Sequence, residues 1–309
     1  MAHSHSPTAT QEKSAVAATS VLAALGLTTM KFIVGIMTNS LGILAEAAHS
    51  ALDLMAALIT YFTVRVSDKP ADKEHPFGHG KLENISALIQ SLILIVTGGW
   101  LIYEAIDRIT NPNAHHMEIT IWSFLVMGTS IIIDYSRSRM LKKAAEKHNS
   151  HALEADALHF SIDIWSSAVV ILGLILVYAS TYYSVPWLAK ADAIAAILVA
   201  FIILFVSGEL GIRAVHELLD AAPQNGVQEQ IINEVSQLPN ITSVHALRIR
   251  SSGGRWFVDM HITVPGTMTV QDSHDLTEQI EQLVEHIQPK SDVTVHVEPD
   301  GIHTTPNTL

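Results

Sequence analysis

Six long apolar blocks, near residues 14–37, 41–66, 82–107, 117–140, 153–179 and 188–212, constrain this chain more than any other feature. Each is long enough to cross a bilayer, which takes about 20 apolar residues in an α-helix. In lipid, every backbone N–H and C=O must find its partner within the protein, so such blocks become helices. Short polar stretches separate them: "MTNSLG", "SDKPADKEHPFGHG", "TNPNAHH", "KKAAEKHNS" and "STYYSVPW". Connections this short predict antiparallel neighbours. The basic residues orient the bundle. One set of loops carries Lys13, then Arg65, Lys69, Lys73 and Lys81, then Arg137, Arg139, Lys142, Lys143 and Lys147, then Arg213. The opposite set carries only Arg108 and Lys190. The positive-inside rule then puts both termini in the cytoplasm. The compact loops suggest the inner (plasma) membrane of a bacterium.

Beyond about residue 223 the apolar blocks give way to a polar segment with short periodic patterns. "VQEQIINEVSQL" is an amphipathic helix, "SVHALRIRS" and "RWFVDMHITVP" alternate as strands around the turn "SSGG", "VQDSHDLTEQIEQLVEHIQ" is a longer helix, and "DVTVHVEP" is a last strand. The order αββαβ predicts a small open α+β sandwich, ferredoxin-like, with an antiparallel sheet. The fold class expected is thus a polytopic α-helical membrane protein with a C-terminal cytoplasmic α+β domain. The expected organisation is a cytoplasmic tail (1–13), a six-helix transmembrane domain (14–215), a linker (216–225), a cytoplasmic metal-binding and dimerising domain (226–300) and a tail (301–309).

A formal net charge of −12, with no basic cluster interleaved with aromatics, excludes nucleic acid as the natural partner. The absence of cysteine excludes disulfides and thiolate metal sites, so any metal must be held by His, Asp and Glu. No nucleophile–base pair or phosphate loop points to an enzyme. The N-terminus, "MAHSHSPTATQEK", lacks the pattern of a signal peptide.

Two costly placements stand out. "HSALD" in the second block sets His49 and Asp53 four residues apart, and "HFSID" in the fifth repeats the spacing as His159 and Asp163. An i,i+4 pair shares one helix face, and ionisable groups inside a membrane usually mark an ion or proton pathway. If the two helices pack together, two imidazoles and two carboxylates converge. That donor set suits tetrahedral Zn²⁺, and its two negative charges neutralise the dication. The helices run in opposite directions, so His49 is expected level with Asp163, and Asp53 level with His159. Glu46 and Asp156 each lie three residues before a histidine; they either orient the imidazoles or line a route, or they are interfacial carboxylates. Asp134, Glu104 and Lys31 read as snorkelling or paired groups. In the loop after the second block, Asp72, His75 and His79 are spaced three and four apart beside Gly78 and Gly80, a plausible exposed zinc site with one position left for water. In the C-terminal segment, His245, His261 and His296 fall on the three predicted strands. Alternation places His296 and Glu298 on one face, and His274 begins the second helix. His3, His5, His115, His116, His148, His151 and His303 show no ligand spacing.

Together the six blocks, the two HxxxD motifs, the loop "DKEHPFGHGKLE" and the αββαβ segment resemble the cation diffusion facilitator family of zinc-exporting antiporters, over nearly the whole chain. The resemblance implies a transport site at His49, Asp53, His159 and Asp163, with the first histidine favouring zinc. It implies a second site at Asp72, His75 and His79, and a binuclear regulatory site drawing on His245, His261, His296 and Glu298, with His274 contributed across a homodimer. Glu298 departs from the family pattern, which has aspartate there. A Lys81–Asp220 pair is implied as a fastening between membrane domain and linker. The function expected is divalent cation efflux by zinc/proton antiport, with Zn²⁺ both transported and regulatory, and with protons, lipid and a second copy of the chain as partners. Transport of cobalt, cadmium, iron or manganese, and a membrane-anchored metal sensor, are the alternatives.

Overall fold

The computed structural model describes residues 7–110, 121–183, 188–223 and 226–301. The chain divides between Val215 and His216 into two compact units.

Among the described residues the first unit holds six helices, the last running on to Leu218: α1 (Pro7–Thr38), α2 (Leu41–Ser67), α3 (Leu82–Thr110), α4 (Ile121–His148), α5 (His151–Tyr183) and α6 (Leu188–Leu218). The helix α1 begins at Pro7, so residues 7–13 are helical. Among the described residues four stretches are long and apolar enough to cross a membrane: Ala9–Thr38, Glu46–Ser67, Leu82–Asp107 and Ala196–Leu218. In α4 the apolar run is interrupted by Asp134, Arg137 and Arg139, and in α5 by Asp156, His159 and Asp163. The α1–α2 and α4–α5 connections use one device twice. Asn39 and Asn149 take left-handed φ values of 50° and 49°, a conformation Asn tolerates better than most residues. The serine that follows each, Ser40 or Ser150, accepts at its hydroxyl from Ile43 N or Leu153 N and starts the next helix.

Packing in this unit is the reverse of a soluble bundle. Leu22, Ile36, Phe62, Trp100 and Phe205 point outward, while Ala17, Ala57, Ala144, Ala152 and Ala157 fill the contacts among α1, α2, α4 and α5. Small residues inside and large apolar residues outside are what lipid selects, since close backbone approach rather than hydrophobicity drives helix association there. Gly211 shows the same need, because a Cβ on it would sit 2.8 Å from Ser91 Oγ of α3.

The second unit has the order α7 (Val227–Val235), β1 (Ser243–Ser252), β2 (Arg255–Val264), α8 (Val270–Ile287), β3 (Ser291–Pro299). Gly253 and Gly254, both with positive φ, make the two-residue hairpin turn between β1 and β2. The sheet order is β1-β2-β3, with β1 antiparallel to β2 and β3 parallel to β2. The sheet is therefore mixed, which corrects the antiparallel expectation. Residues between β2 and β3 form a full helix, and a helical crossover returns the chain to the same end of the sheet, so the two strands run parallel. Ile231 and Val235 of α7 and Leu276, Ile280 and Val284 of α8 pack with Val258, Met260, Ile262 and Val264. That packing claims one face of the central strand. The alternate residues, Asp259, His261 and Thr263, lie on the other face.

Candidate metal sites

Helices α2 and α5 bring the two HxxxD motifs together. His159 Nε2 lies 3.1 Å from Asp53 Oδ1 and 3.6 Å from Asp163 Oδ2. His49 Nε2 lies 3.8 Å from both Asp53 Oδ1 and Asp163 Oδ1. Each imidazole thus sits between two carboxylates. Opposite chain directions pair His49 with Asp163 and His159 with Asp53 across the helix interface. An ion held tetrahedrally at about 2.1 Å separates its ligand atoms by about 3.4 Å, close to these N···O spacings, and His49, Asp53 and Asp163 can together offer ligand atoms to one ion, with His159 beside Asp53 and Asp163. Asp53, His159 and Asp163 are buried, whereas the His49 side chain is 36 % exposed. Asp163 Oδ2 and His159 Nδ1 are buried without a hydrogen-bond partner among the described residues. His159 Nε2 is the ring nitrogen that faces both Asp53 and Asp163, so at this atom a proton and a metal ion would exclude each other.

Around the quartet, Lys31 Nζ donates to Ser50 Oγ at 2.8 Å and to Glu46 Oε2 at 3.3 Å. Glu46 and Lys31 are therefore partners. Asp156 is fully buried, with Ser20 Oγ donating to its Oδ2 at 3.5 Å, so it is an interior group and not an interfacial one. Arg137, a loop cation by the sequence, is buried. It donates to Asp134 at 3.1 Å and to Ser20 Oγ at 3.3 and 3.2 Å, and its guanidinium lies 3.4 Å from the Phe160 ring centroid. The signal available was its i,i+3 spacing from Asp134 inside a predicted span.

The α2–α3 loop gathers Asp72, His75 and His79. Asp72 Oδ1 is 3.4 Å from His75 Nδ1, Asp72 Oδ2 is 3.5 Å from His79 Nε2, and the two rings lie 4.4 Å apart. The backbone N–H groups of Glu74 and His75 also donate to Asp72 Oδ1 and hold its carboxyl below the usual carboxylate range, the His75 amide most strongly. Gly78 turns the loop at φ 80°, while Gly80 stays outside the left-handed region. His79 Nδ1 is buried without a partner among the described residues. Three convergent N/O donors fit a metal held with water. Lys81 follows at the start of α3, and Asp220, in the other unit, accepts from Arg250 at 3.5 Å.

On the open face of the small sheet, His245, His261 and His296 occupy one cross-strand row. Glu298 serves all three: Oε1 is 3.0 Å from His261 Nδ1 and 3.7 Å from His296 Nε2, and Oε2 is 3.3 Å from His245 Nε2. The His261 hydrogen bond, with the nearby His245 and His296, holds Glu298 below the usual carboxylate range. A bulge after His245, with Ala246 at φ 50°, interrupts the β1 register beside this row. His245, His261 and Glu298 can together offer ligand atoms to one ion. His274 stands on α8, exposed and 3.6 Å from Glu278, and does not join them.

This architecture, a bundle with polar groups buried among small residues followed by a compact mixed-sheet domain, defines an ion-handling membrane protein. Residues 17–219 match the family model of the cation efflux transmembrane domain, and residues 223–300 match that of the cation efflux protein cytoplasmic domain. The chain belongs to the cation efflux, or cation diffusion facilitator, family. Cation-efflux pump FieF of Yersinia enterocolitica is 30 % identical over 293 residues, covering 94 % of this chain and 93 % of the relative. The pump of that name from Salmonella arizonae is 31 % identical over the same length and coverage. Among solved structures, the metal-bound C-terminal domain of the CzcD transporter from Thermotoga maritima is 34 % identical, covers 27 % of this chain and all of that one, and gives a TM-score of 0.25.

Proposed function

We propose that this protein exports divalent metal cations, zinc first among them, by exchange for protons. The observation that carries the reading is the quartet of His49, Asp53, His159 and Asp163, with neighbouring N···O distances of 3.1–3.8 Å. Four donors permit complete dehydration of the ion, and two nitrogens with two oxygens favour zinc over manganese. Six spans, cytoplasmic termini and alternating access complete the scheme. The ion binds from the cytoplasm, the bundle reorients, and protonation of the imidazoles and carboxylates on the far side releases it. Asp72, His75 and His79 bind zinc at the membrane surface. His245, His261, His296 and Glu298, joined by His274 of a second copy, bind regulatory zinc in a homodimer. The longer Glu298 side chain bridges where the family uses aspartate. Uptake of a panel of divalent ions into proteoliposomes tests the reading. Zinc uptake is expected to be strongest and to vanish in Asp53→Ala and Asp163→Ala with the other two sites intact. Unchanged uptake in both variants would favour a sensor.

A further inference from the structure

Lys13, Asp68 and Glu83 form a buried charge cluster that none of the metal sites uses. Lys13 Nζ donates to Asp68 Oδ1 at 2.5 Å and to Glu83 Oε1 at 3.1 Å. None of the three side chains is more than 5 % exposed. Glu83 is the hub. Ser67 Oγ also donates to its Oε1 at 3.1 Å, and Ser150 Oγ donates to its Oε2 at 2.6 Å. Lys13 lies in the second turn of α1, Ser67 ends α2, Glu83 opens α3 and Ser150 starts α5. One carboxylate therefore fastens four helix ends. Both ends of the α2–α3 loop, at Asp68 and Glu83, are tied to a single ammonium.

The quartet lies deeper in the bundle. Ser67 follows His49 by eighteen residues on α2, about 27 Å along the helix. His49, the most exposed member, is a turn farther from the cluster than Asp53. The cluster's end of the bundle is buried, and the quartet's most exposed member is the one on α2 that lies farther from it. The ammonium already occupies the place between the two carboxylates, so the cluster is not a cation-binding site.

We propose that Lys13 is a positioning residue that latches the cytoplasmic end of the bundle, and that release of its contacts with Glu83 and Asp68 opens the path from the cytoplasm to the quartet. This rests on the alternating-access reading above. Buried ions suit a gate better than an apolar plug. When the gap floods, the charges regain hydration, which offsets the lost attraction. Open and closed states then stay close in free energy, and a bound ion can tip the balance between them. Without the ammonium, Asp68 and Glu83 face each other as like charges, and the closed state loses its bridge.

The chain contains no cysteine, so a single Ser86→Cys reporter reads access cleanly. Ser86 lies one turn deeper than Glu83 and is 1 % exposed. Purified protein in oriented proteoliposomes is labelled with a membrane-impermeant maleimide from the cytoplasmic face. Lys13→Met and Lys13→Glu are expected to raise the labelling rate at least ten-fold. Lys13→Arg is expected to stay near the parent rate, and the reversed pair Lys13→Glu with Glu83→Lys is expected to return towards it. If Lys13→Met does not fold, Glu83→Gln carries the same direction with a smaller rise. Labelling that stays at the parent rate in monodisperse Lys13→Glu and Glu83→Gln protein overturns the proposal. The readout needs no transport, so a parent protein that failed to move zinc would sink the antiport reading and leave the latch test intact.

Discussion

His49 differs from the other members of the quartet in one physical respect: its side chain is 36 % exposed, against 3 % for His159. A partly open ligand is the one most easily adapted to ions of other size and softness. Exchanging its imidazole for a carboxylate removes one of the two nitrogen donors that favour zinc and makes the site more negative and less discriminating. His49→Asp is therefore expected to admit cadmium or manganese at several times the parent rate while still moving zinc. Uptake of each ion measures this, and cadmium transport no better than the parent would remove His49 from the selectivity argument. Glu298 gives a second expectation, in pH. Its folded-state value lies below the ordinary glutamate value of 4.5, so its contact with the histidine row stabilises the sheet above that pH. The contribution is lost as pH falls through the depressed value. Thermal unfolding of the parent and Glu298→Gln is expected to differ above the ordinary glutamate value of 4.5 and to converge as pH falls through the depressed one. A gap that persists in acid would contradict the assignment.

At the scale of elements, small residues decide how closely helices approach. Ala155 of α5 is fully buried against Ala87 of α3 and Leu210 and Ala214 of α6. Ala155→Leu is expected to cost about 1–3 kcal/mol, as overpacking of a tight contact does, read as a lowered melting temperature in detergent. In the α2–α3 loop, Gly78 at φ 80° has no comfortable replacement. Gly78→Val is expected to cost about 1–2 kcal/mol and to weaken zinc binding by Asp72, His75 and His79 about ten-fold, measured by titration of protein lacking the ligands of both the quartet and the small sheet. The legibility of these elements from sequence follows their range. The HxxxD pairs, the Asp72–His75–His79 spacing and the alternation of His296 with Glu298 are local repeats that one helix turn or one strand displays directly. Parallel pairing of β3 with β2 depends on a crossover, and strand patterning alone carries no direction. The burial of Arg137 and Lys13 was hidden because a cation near a predicted helix end looks the same whether it snorkels or meets Asp134 or Glu83 across the bundle. Only the neighbouring helices settle which.

In the proposed transport cycle the whole bundle exposes one dehydrating site to either side, and a proton empties it. Two carboxylates and two imidazoles without a thiolate make release by protonation chemically direct. The measurement that tests this most closely is zinc flux into proteoliposomes of the purified protein under an imposed pH gradient, at fixed membrane potential. The account predicts that flux rises several-fold when the receiving side is one pH unit more acidic, reverses its driving force with the gradient, and is accompanied by proton movement in the opposite direction that disappears in Asp163→Ala. Zinc flux indifferent to the gradient, with no counterflow of protons, would contradict it.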